Sequence, residues 1–336
     1  MLKPQPRTQN VFLSDSRPLV AKVPHCNGDY LPASVRTALQ LLGGLEKAIG
    51  SGDRVMLKPN FNCSYALPLS TDLGFLAAAI EVLQDAGAKV RVGEMSGRSD
   101  WPTDKVVRNL EVLPVLRRYG VDLVNFEHDE WIPLQVQGRY WQSFRVPRSM
   151  YEADKRVYLA NMRCHSTARF SASLKLGVGW IDLQDRDFLH SDPGAVEAKV
   201  AELHLGWQPE LVLMDGRRST VTWHGRGAYV YPNVIMASGD MVAIDTEAVK
   251  TLREYPEDNG LDVPLGEMAQ LRIAREHRLG SVDYTVLEAP AHSHTEQEGI
   301  PRAWPGGSRR PDEAHAAPKQ TEAWGPQAIC ANQLDH

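Results

Sequence analysis

Strand and helix signals alternate along most of the chain, and this alternation limits the possible folds more than any other feature. Short runs rich in Val, Leu and Ile are separated by longer segments whose apolar residues recur at helical spacing. In the first half, strands are predicted at 19–23, 54–57, 88–94 and 121–126, and helices at 32–48, 73–87 and 103–118. Such a series predicts an α/β fold with a mainly parallel sheet and helices on both of its faces.

The second half repeats the pattern after one interruption. Alternating apolar residues on both sides of Gln137–Gly138 predict a β-hairpin over 131–147 that leaves the sheet. The pattern then resumes, with strands predicted at 155–160, 210–216, 233–240 and 282–288 and helices at 194–204, 241–254 and 265–278. We therefore expect one domain over 1–288, with lobes at 19–130 and 150–288 and a cleft at the carboxyl ends of the strands.

Residues 289–336 differ in composition from the rest of the chain. They are rich in Pro, Gly, His and charged residues and hold few residues that could join a core. A segment of this composition cannot bury enough apolar surface to offset the entropy that it loses on ordering. We expect a disordered carboxyl-terminal tail.

Charge and hydropathy narrow the classes of partner. The net charge of −5 gives no basic footprint, so nucleic acid is not an expected partner. No apolar run approaches the roughly 18 residues that cross a bilayer, and the amino terminus lacks the apolar core of a signal peptide. These features predict a cytoplasmic protein with neither a nucleic-acid nor a membrane partner.

The four cysteines are scattered and form no CxxC pair. A disulfide framework is not expected in a chain of this size, and the spacing excludes a preformed zinc ribbon or ferredoxin cassette. The cysteines can therefore be free structural thiols. Three of them follow predicted strands, however, so the fold could gather Cys26, Cys63 and Cys164 into a metal or iron–sulfur site.

Polar residues follow several of the predicted strands. In parallel α/β sheets, ligands bind beyond the carboxyl ends of the strands, and here those ends carry Lys58, Asn60, Glu94 and Asp215. Pro59 biases Lys58 toward extended backbone, which favours a fixed lysine that binds a carboxylate or phosphate. A surface lysine that closes the strand is the alternative. Glu94 could ligate a metal, act as a base or form an ion pair with Lys58.

The segment NMRCHSTARFSASLKLGVGW (161–180) combines more reactive side chains than any other. It holds Arg163, which can form paired hydrogen bonds with a carboxylate or phosphate, and His165, which titrates near neutral pH. Residues 166–175 have helix-compatible spacing, and a straight helix would place His165 and Lys175 about 15 Å apart, flanking one ligand. The two meet only if the segment bends. A helix that packs by its small residues is the alternative.

These motifs, in this order, resemble those of the domain-of-unknown-function family DUF362. The resemblance covers residues 19–288 and rests on strands that end in Lys-Pro-Asn and Gly-Glu, on the histidine segment, and on the Ser-Gly-Asp helix. It implies the same α/β fold. Arg163 stands where the family usually has lysine, which keeps the charge and changes the geometry and reactivity. The ferredoxin-like cysteine cassette of many members does not occur in this sequence, which gives no support to electron transfer.

A weaker resemblance connects the strand–His–small-residue–Lys arrangement with lactate racemase-like proteins. It implies that Lys175 faces a nickel-pincer nucleotide and that His165 is the acid/base group.

Together, the residues and the resemblances predict a small-molecule enzyme that binds an anionic substrate or an unidentified cofactor. His165 is the expected general acid or base, and Lys58 and Lys175 are the other expected catalytic residues. The expected binding residues are Asn60, Glu94, Arg163 and Asp215. The alternatives are a metal or iron–sulfur protein that uses Cys26, Cys63 and Cys164, and a non-catalytic scaffold.

Overall fold

The computed structural model places the predicted strands of both halves in one large sheet. It describes residues 2–5, 8–26, 28–96, 101–222, 229–255 and 259–290. The strands are β1 (Leu13–Ser14), β2 (Arg17–Pro24), β3 (Arg54–Lys58), β4 (Lys89–Glu94), β5 (Asp122–Asn125), β6 (Trp131–Gln135), β7 (Ser143–Pro147), β8 (Lys155–Asn161), β9 (Arg163–His165), β10 (Arg169–Ser171), β11 (Leu211–Gly216), β12 (Ser219–Thr220), β13 (Tyr229–Val230), β14 (Val234–Ser238) and β15 (Thr285–Glu288).

The helices are α1 (Leu31–Leu41), α2 (Leu73–Asp85), α3 (Thr103–Asn109), α4 (Val112–Arg118), α5 (Arg148–Tyr151), α6 (Leu183–His190), α7 (Val196–Leu203), α8 (Met241–Arg253) and α9 (Ala269–Glu276). Short 3₁₀ turns lie at Leu45–Lys47, Phe126–His128, Leu174–Trp180, Pro193–Ala195 and Leu265–Glu267. None of the helices in the described part of the chain is long and apolar enough to span a bilayer.

The strand order of the main sheet is β1-β2-β14-β11-β8-β3-β4-β5, with β15 also paired to β2. β11, β8, β3, β4 and β5 pair in parallel, which confirms the predicted mainly parallel sheet. β14 runs antiparallel between β11 and β2, so β2 has the same direction as β11. The carboxyl ends of β2, β11, β8, β3 and β4 therefore lie along one side of the sheet, which we call the carboxyl edge.

Both faces of the sheet are covered by packed elements. Alternate residues of a strand point to opposite faces, so in β8 Val157 and Leu159 join one core, and Tyr158 and Ala160 join the other. Helices α1 to α4 cover the first face, and α7, α8, α9 and the β6–β7 hairpin cover the second. This double coverage explains why the central strands are continuous apolar runs in the sequence.

The predicted excursion over 131–147 is a β-hairpin, in which β6 and β7 pair antiparallel with Trp131 opposite Pro147. The segments predicted as lobes, 19–130 and 150–288, share the main sheet, because β3 from the first pairs with β8 from the second. The predicted tail, 289–336, lies outside the described residues except for its first two. The Ala289 N–H still donates to the Lys22 carbonyl at 3.0 Å.

Two predicted helices are interrupted by left-handed backbone. The helix predicted over 32–48 ends at Leu41, because Gly43 and Gly44 take φ values of +92° and +104°. The helix predicted over 103–118 is divided into α3 and α4 at Glu111, which has a φ of 59°. These differences move helix ends and leave the layer architecture unchanged.

Candidate functional site

The segment after β8 bends back on itself, and the helix predicted over 166–175 is wrong. β9 and β10 form a short antiparallel hairpin with Arg169 opposite His165, and the chain then enters the 3₁₀ turn at 174–180. Ser166 and Thr167 can begin a helix or close a tight turn. The spacing of residues 166–175 in the sequence does not distinguish a helix from a tight turn.

His165 closes this tight turn with its own side chain. Its Nδ1 accepts the backbone N–H groups of Thr167 and Ala168, at 3.1 and 3.2 Å. A backbone N–H can only donate, so Nδ1 carries no proton and the neutral ring holds its proton on Nε2. The side chain is buried. The turn therefore fixes both the ring and its tautomer.

Several basic side chains act electrostatically on His165. Burial lowers the pKa of His165 well below its ordinary value, and Lys175, Arg163 and His190 lower it further. Burial also lowers the pKa of His190, at the end of α6, to about 4, and Lys175 is among the charges that add to this effect. Within the described residues, the charges that act on His165 are all positive. We call Arg163, His165, Lys175 and His190 the basic cluster.

Among the described residues, Arg163 is buried in the basic cluster without an opposite charge. Its side chain is 6% exposed, and its Nη1 donates to the Cys164 carbonyl at 3.2 Å. Among the residues that the structure describes, no carboxylate pairs with it, and its Nε has no hydrogen-bond partner. Oδ1 of Asn161, the last residue of β8, and Oγ1 of Thr220 in β12 are likewise buried without a described partner. Three buried polar atoms near the carboxyl edge thus have no hydrogen-bond partner among the described residues.

Lys58 and Glu94 form a buried ion pair at the ends of β3 and β4. The Lys58 Nζ lies 2.7 Å from Oε1 of Glu94 and donates to the Pro59 carbonyl at 2.8 Å. Glu94 also accepts the backbone N–H groups of Phe61 and Met95, each at 2.8 Å. The structure thus contains the ion pair that was one of the predicted alternatives, and it gives no support to a catalytic role for Lys58.

Gly179, in the 174–180 turn, lies directly on this ion pair. A Cβ atom at Gly179 would be 2.4 Å from the Lys58 Nζ and 2.6 Å from Oε1 of Glu94. Beside the pair, buried Arg186 of α6 donates to two backbone carbonyls that follow β4, at 2.6 and 2.7 Å. The turn that carries Lys175 therefore rests on fixed groups at the carboxyl edge.

Asp245 of α8 holds the start of the same turn. Its carboxylate accepts the N–H and hydroxyl groups of Ser173, at 2.8 and 2.6 Å, and the N–H group of Leu174 at 2.9 Å. Burial raises the pKa of Asp245 to about 7, and the bonds from Ser173 and Leu174 oppose the rise. Lys175 follows directly, so Asp245 fixes the position of its backbone.

Asn60 and Asn161 fasten a loop over the carboxyl edge. Their amide groups donate to carbonyls within residues 67–69, each at 3.0 Å. The guanidinium of Arg218 donates to a third carbonyl of the same three residues. Asn60 therefore has a structural contact, and its predicted role in ligand binding stays a prediction.

Asp215 belongs to a second charged group on the carboxyl edge. Nη2 of Arg217 lies 2.7 Å from Asp215 and 2.7 Å from Asp72, the residue that caps α2. Nδ1 of His25 lies 2.9 Å from the Ser34 hydroxyl, and burial and then Arg217 lower the His25 pKa. His25 is buried, with only 6% of the residue exposed. The Asp215 carboxylate is thus engaged by Arg217.

The sequence of this chain matches one protein family over more than half of its length. The family described as "Domain of unknown function (DUF362)" matches residues 55–250, more than half of the 336 residues. The chain belongs to the DUF362 family. The match confirms the resemblance seen in the motifs and includes the whole basic cluster.

Other proteins resemble this DUF362 chain more distantly. It is 24% identical over 224 residues to a thylakoid-associated protein of Synechocystis sp. strain PCC 6803, with coverage of 64% of this chain and 68% of the relative. A crystal structure of a Thermotoga maritima protein aligns with a TM-score of 0.43, 9% identity and 73% coverage of this chain. The lactate racemase apoprotein of Thermoanaerobacterium thermosaccharolyticum aligns with a TM-score of 0.33, 13% identity and 71% coverage. The chain spans only 59% of the length of each solved structure, and neither likeness supports an argument about function.

The three cysteines that were candidate metal ligands do not form a metal centre in the described residues. There, no group of three or more His, Cys, Asp or Glu side chains is placed to hold a metal ion. Cys26 is exposed, whereas Cys63 and Cys164 are buried, and burial raises the pKa of the Cys164 thiol to about 12. The metal or iron–sulfur alternative therefore gains no support.

Several residues of the DUF362 site were missed because their partners are distant in the sequence. His190 and Arg186 lie on α6, which follows no strand end and carries no recognised motif. Asp245 did carry a signal, because a carboxylate inside an apolar helix needs a partner when it is buried. Its partners are the hydroxyl and N–H groups of Ser173 and the N–H group of Leu174, which are more than 70 positions away in the sequence.

Proposed function

We propose that this DUF362 protein is a cytoplasmic small-molecule enzyme that binds an anionic substrate or cofactor at the basic cluster. The observation that supports the proposal most directly is the buried Arg163 guanidinium, which has no carboxylate partner among the described residues. A buried charge without a partner is costly, and a bound anion would remove that cost. The positive charge of Lys175 also acts on His165.

In this proposal, His165 donates its Nε2 proton in a hydrogen bond to an oxygen of the ligand. The two backbone N–H groups at Nδ1 hold the ring in the tautomer that this role requires. A neutral imidazole that donates from Nε2 can stabilise negative charge that develops on a substrate oxygen. The sequence prediction of a general acid or base is therefore narrowed to the donor role.

Replacement of Arg163 by Met tests the anion site. We expect the ligand-free melting temperature of Arg163→Met to stay unchanged or rise, because an unpaired buried charge is removed. We expect affinity for a small anion to fall about 10- to 100-fold, since a charge-assisted hydrogen bond is lost. Calorimetric titration with inorganic phosphate and with acetate measures the affinity and separates phosphate from carboxylate recognition.

The matched control is Arg156→Met, near the start of β8. The Arg156 side chain is also buried, but its guanidinium donates to the backbone carbonyls of Met150 and Tyr151, at 3.1 and 2.8 Å. This variant should melt at a lower temperature and bind the anion like the wild type. The proposal is wrong if the wild type binds neither anion, or if both variants lose stability equally and keep their affinity.

A further inference from the structure

One side of the chain that runs from β8 into β9 is polar. Met162 and Cys164 belong to the hydrophobic core on the second face of the sheet. Because alternate residues of an extended chain point to opposite sides, Asn161, Arg163 and His165 lie together on the other side. We call these three residues the polar row.

The polar row contains one hydrogen-bond acceptor and one donor that have no partner in the described part of the chain. Nδ2 of Asn161 donates to the Pro68 carbonyl at 3.0 Å, so the amide geometry directs Oδ1 away from that carbonyl, and Oδ1 is unpartnered. Nη1 of Arg163 donates to the Cys164 carbonyl, whereas its Nε is unpartnered. The two residues are only 4% and 6% exposed, so each unpartnered group costs free energy that a bound ligand would recover.

We infer that the polar row binds an anion that also carries an O–H group, with the anion on Nε of Arg163 and the O–H group on Oδ1 of Asn161. The inference rests on the proposed anion site and defines the class of ligand for it. Nε of an arginine can only donate, and the oxygen of a carboxamide can only accept, so the ligand must present both an acceptor and a donor. Residues on the same side of a strand are about 7 Å apart, which is close to the span of one small oxyanion with a hydrogen bond at each end.

A ligand can approach the polar row from the β9–β10 hairpin. Ser171 lies opposite Arg163 in the register of this hairpin and is partly exposed. Residues that lie opposite each other in a pair of strands have their side chains on the same side. Two classes of small anion carry the required groups: phosphates that keep a proton, and carboxylates with a neighbouring hydroxyl group.

Pairs of anions that differ chiefly in the O–H group test the inference on the wild-type protein. Near pH 8, phosphate and sulfate both carry about two negative charges, but only phosphate keeps a proton. Glycolate and acetate form the second pair, because glycolate adds a hydroxyl group to the same carboxylate. We expect calorimetric titration to show at least about tenfold tighter binding of phosphate than of sulfate, or of glycolate than of acetate, since the anion without the O–H group leaves Oδ1 unpartnered. The pair that shows the preference identifies the class of anion.

Two substitutions of Asn161 separate its oxygen from its contact with the loop. Asn161→Ala and Asn161→Asp both lose the hydrogen bond to Pro68, but only Asn161→Asp keeps an oxygen that can accept. We expect Asn161→Ala to lose the preference, and Asn161→Asp to keep it while both anions of the pair bind more weakly, because the added charge repels them. No preference in either pair, or a full preference in Asn161→Ala, would overturn the inference and leave the proposed anion site in place. Binding of none of the four anions would overturn the proposed anion site and the inference with it.

Discussion

Gly179→Ala is expected to destabilise the protein by about 3 kcal/mol or more, because the added methyl group would disrupt a buried ion pair. The new Cβ would lie 2.4 Å from the Lys58 Nζ, 2.6 Å from Oε1 of Glu94 and 2.8 Å from Cε of Lys58. Lys58 is a long side chain, but it is only 1% exposed, and its Nζ is held by the Pro59 carbonyl and Glu94. Either the 174–180 turn leaves the carboxyl edge or the ion pair separates in the interior.

Urea unfolding, followed by tryptophan fluorescence, measures this loss. The matched control is Gly266→Ala, because a Cβ at Gly266 meets no atom within 4 Å and its φ lies outside the left-handed region. We expect the control to change the free energy of unfolding by less than about 1 kcal/mol. Wild-type stability in Gly179→Ala would show that the turn does not pack on the ion pair.

Lys58→Met is expected to cost about 3–5 kcal/mol, because it leaves the buried Glu94 carboxylate without the cation that is hydrogen-bonded to it. The double variant Lys58→Met/Glu94→Gln should recover part of this loss, since it removes the unpaired charge. Recovery stays incomplete, because both carboxylate oxygens of Glu94 accept backbone N–H groups, one from Phe61 and one from Met95. An amide at this position has only one oxygen that can accept a hydrogen bond. The expected coupling energy between the two positions is about 1–3 kcal/mol.

A double-mutant cycle by chemical denaturation measures this coupling. The exposed ion pair between Arg54 and Asp154, with side chains that are 63% and 41% exposed, provides the comparison cycle. Its coupling should be below about 1 kcal/mol, since water screens the charges. A coupling energy near zero for Lys58 and Glu94 would contradict the role of the ion pair as the support of the turn.

The layer architecture could be predicted because it depends on local patterns. Apolar runs such as β8, and the hairpin at 131–147, follow from periodicity alone. The order of strands in the sheet depends on long-range pairing, which periodicity does not encode. The predicted lobes therefore share one sheet, with β8 placed between β3 and β11.

The candidate site shows the same division between local and long-range information. Arg163, His165 and Lys175 could be found because they lie in one segment after a strand. Their convergence could not be predicted, because the bend depends on contacts with distant residues such as Asp245 and on space at Gly179. His190 comes from α6, which has no sequence feature that connects it with the others.

The pKa of His165 with and without a bound anion is the measurement that tests the account most directly. Burial, Lys175, Arg163 and His190 all lower this pKa in the ligand-free protein. An anion beside Arg163 adds negative charge, which favours the protonated ring, so the pKa must rise on binding and affinity must increase as the pH falls. A pH titration by NMR, with and without saturating phosphate or acetate, should show a His165 pKa well below its ordinary value that rises when the anion binds. An ordinary pKa in the free protein, or a pKa that the bound anion leaves unchanged, would contradict the proposed anion site.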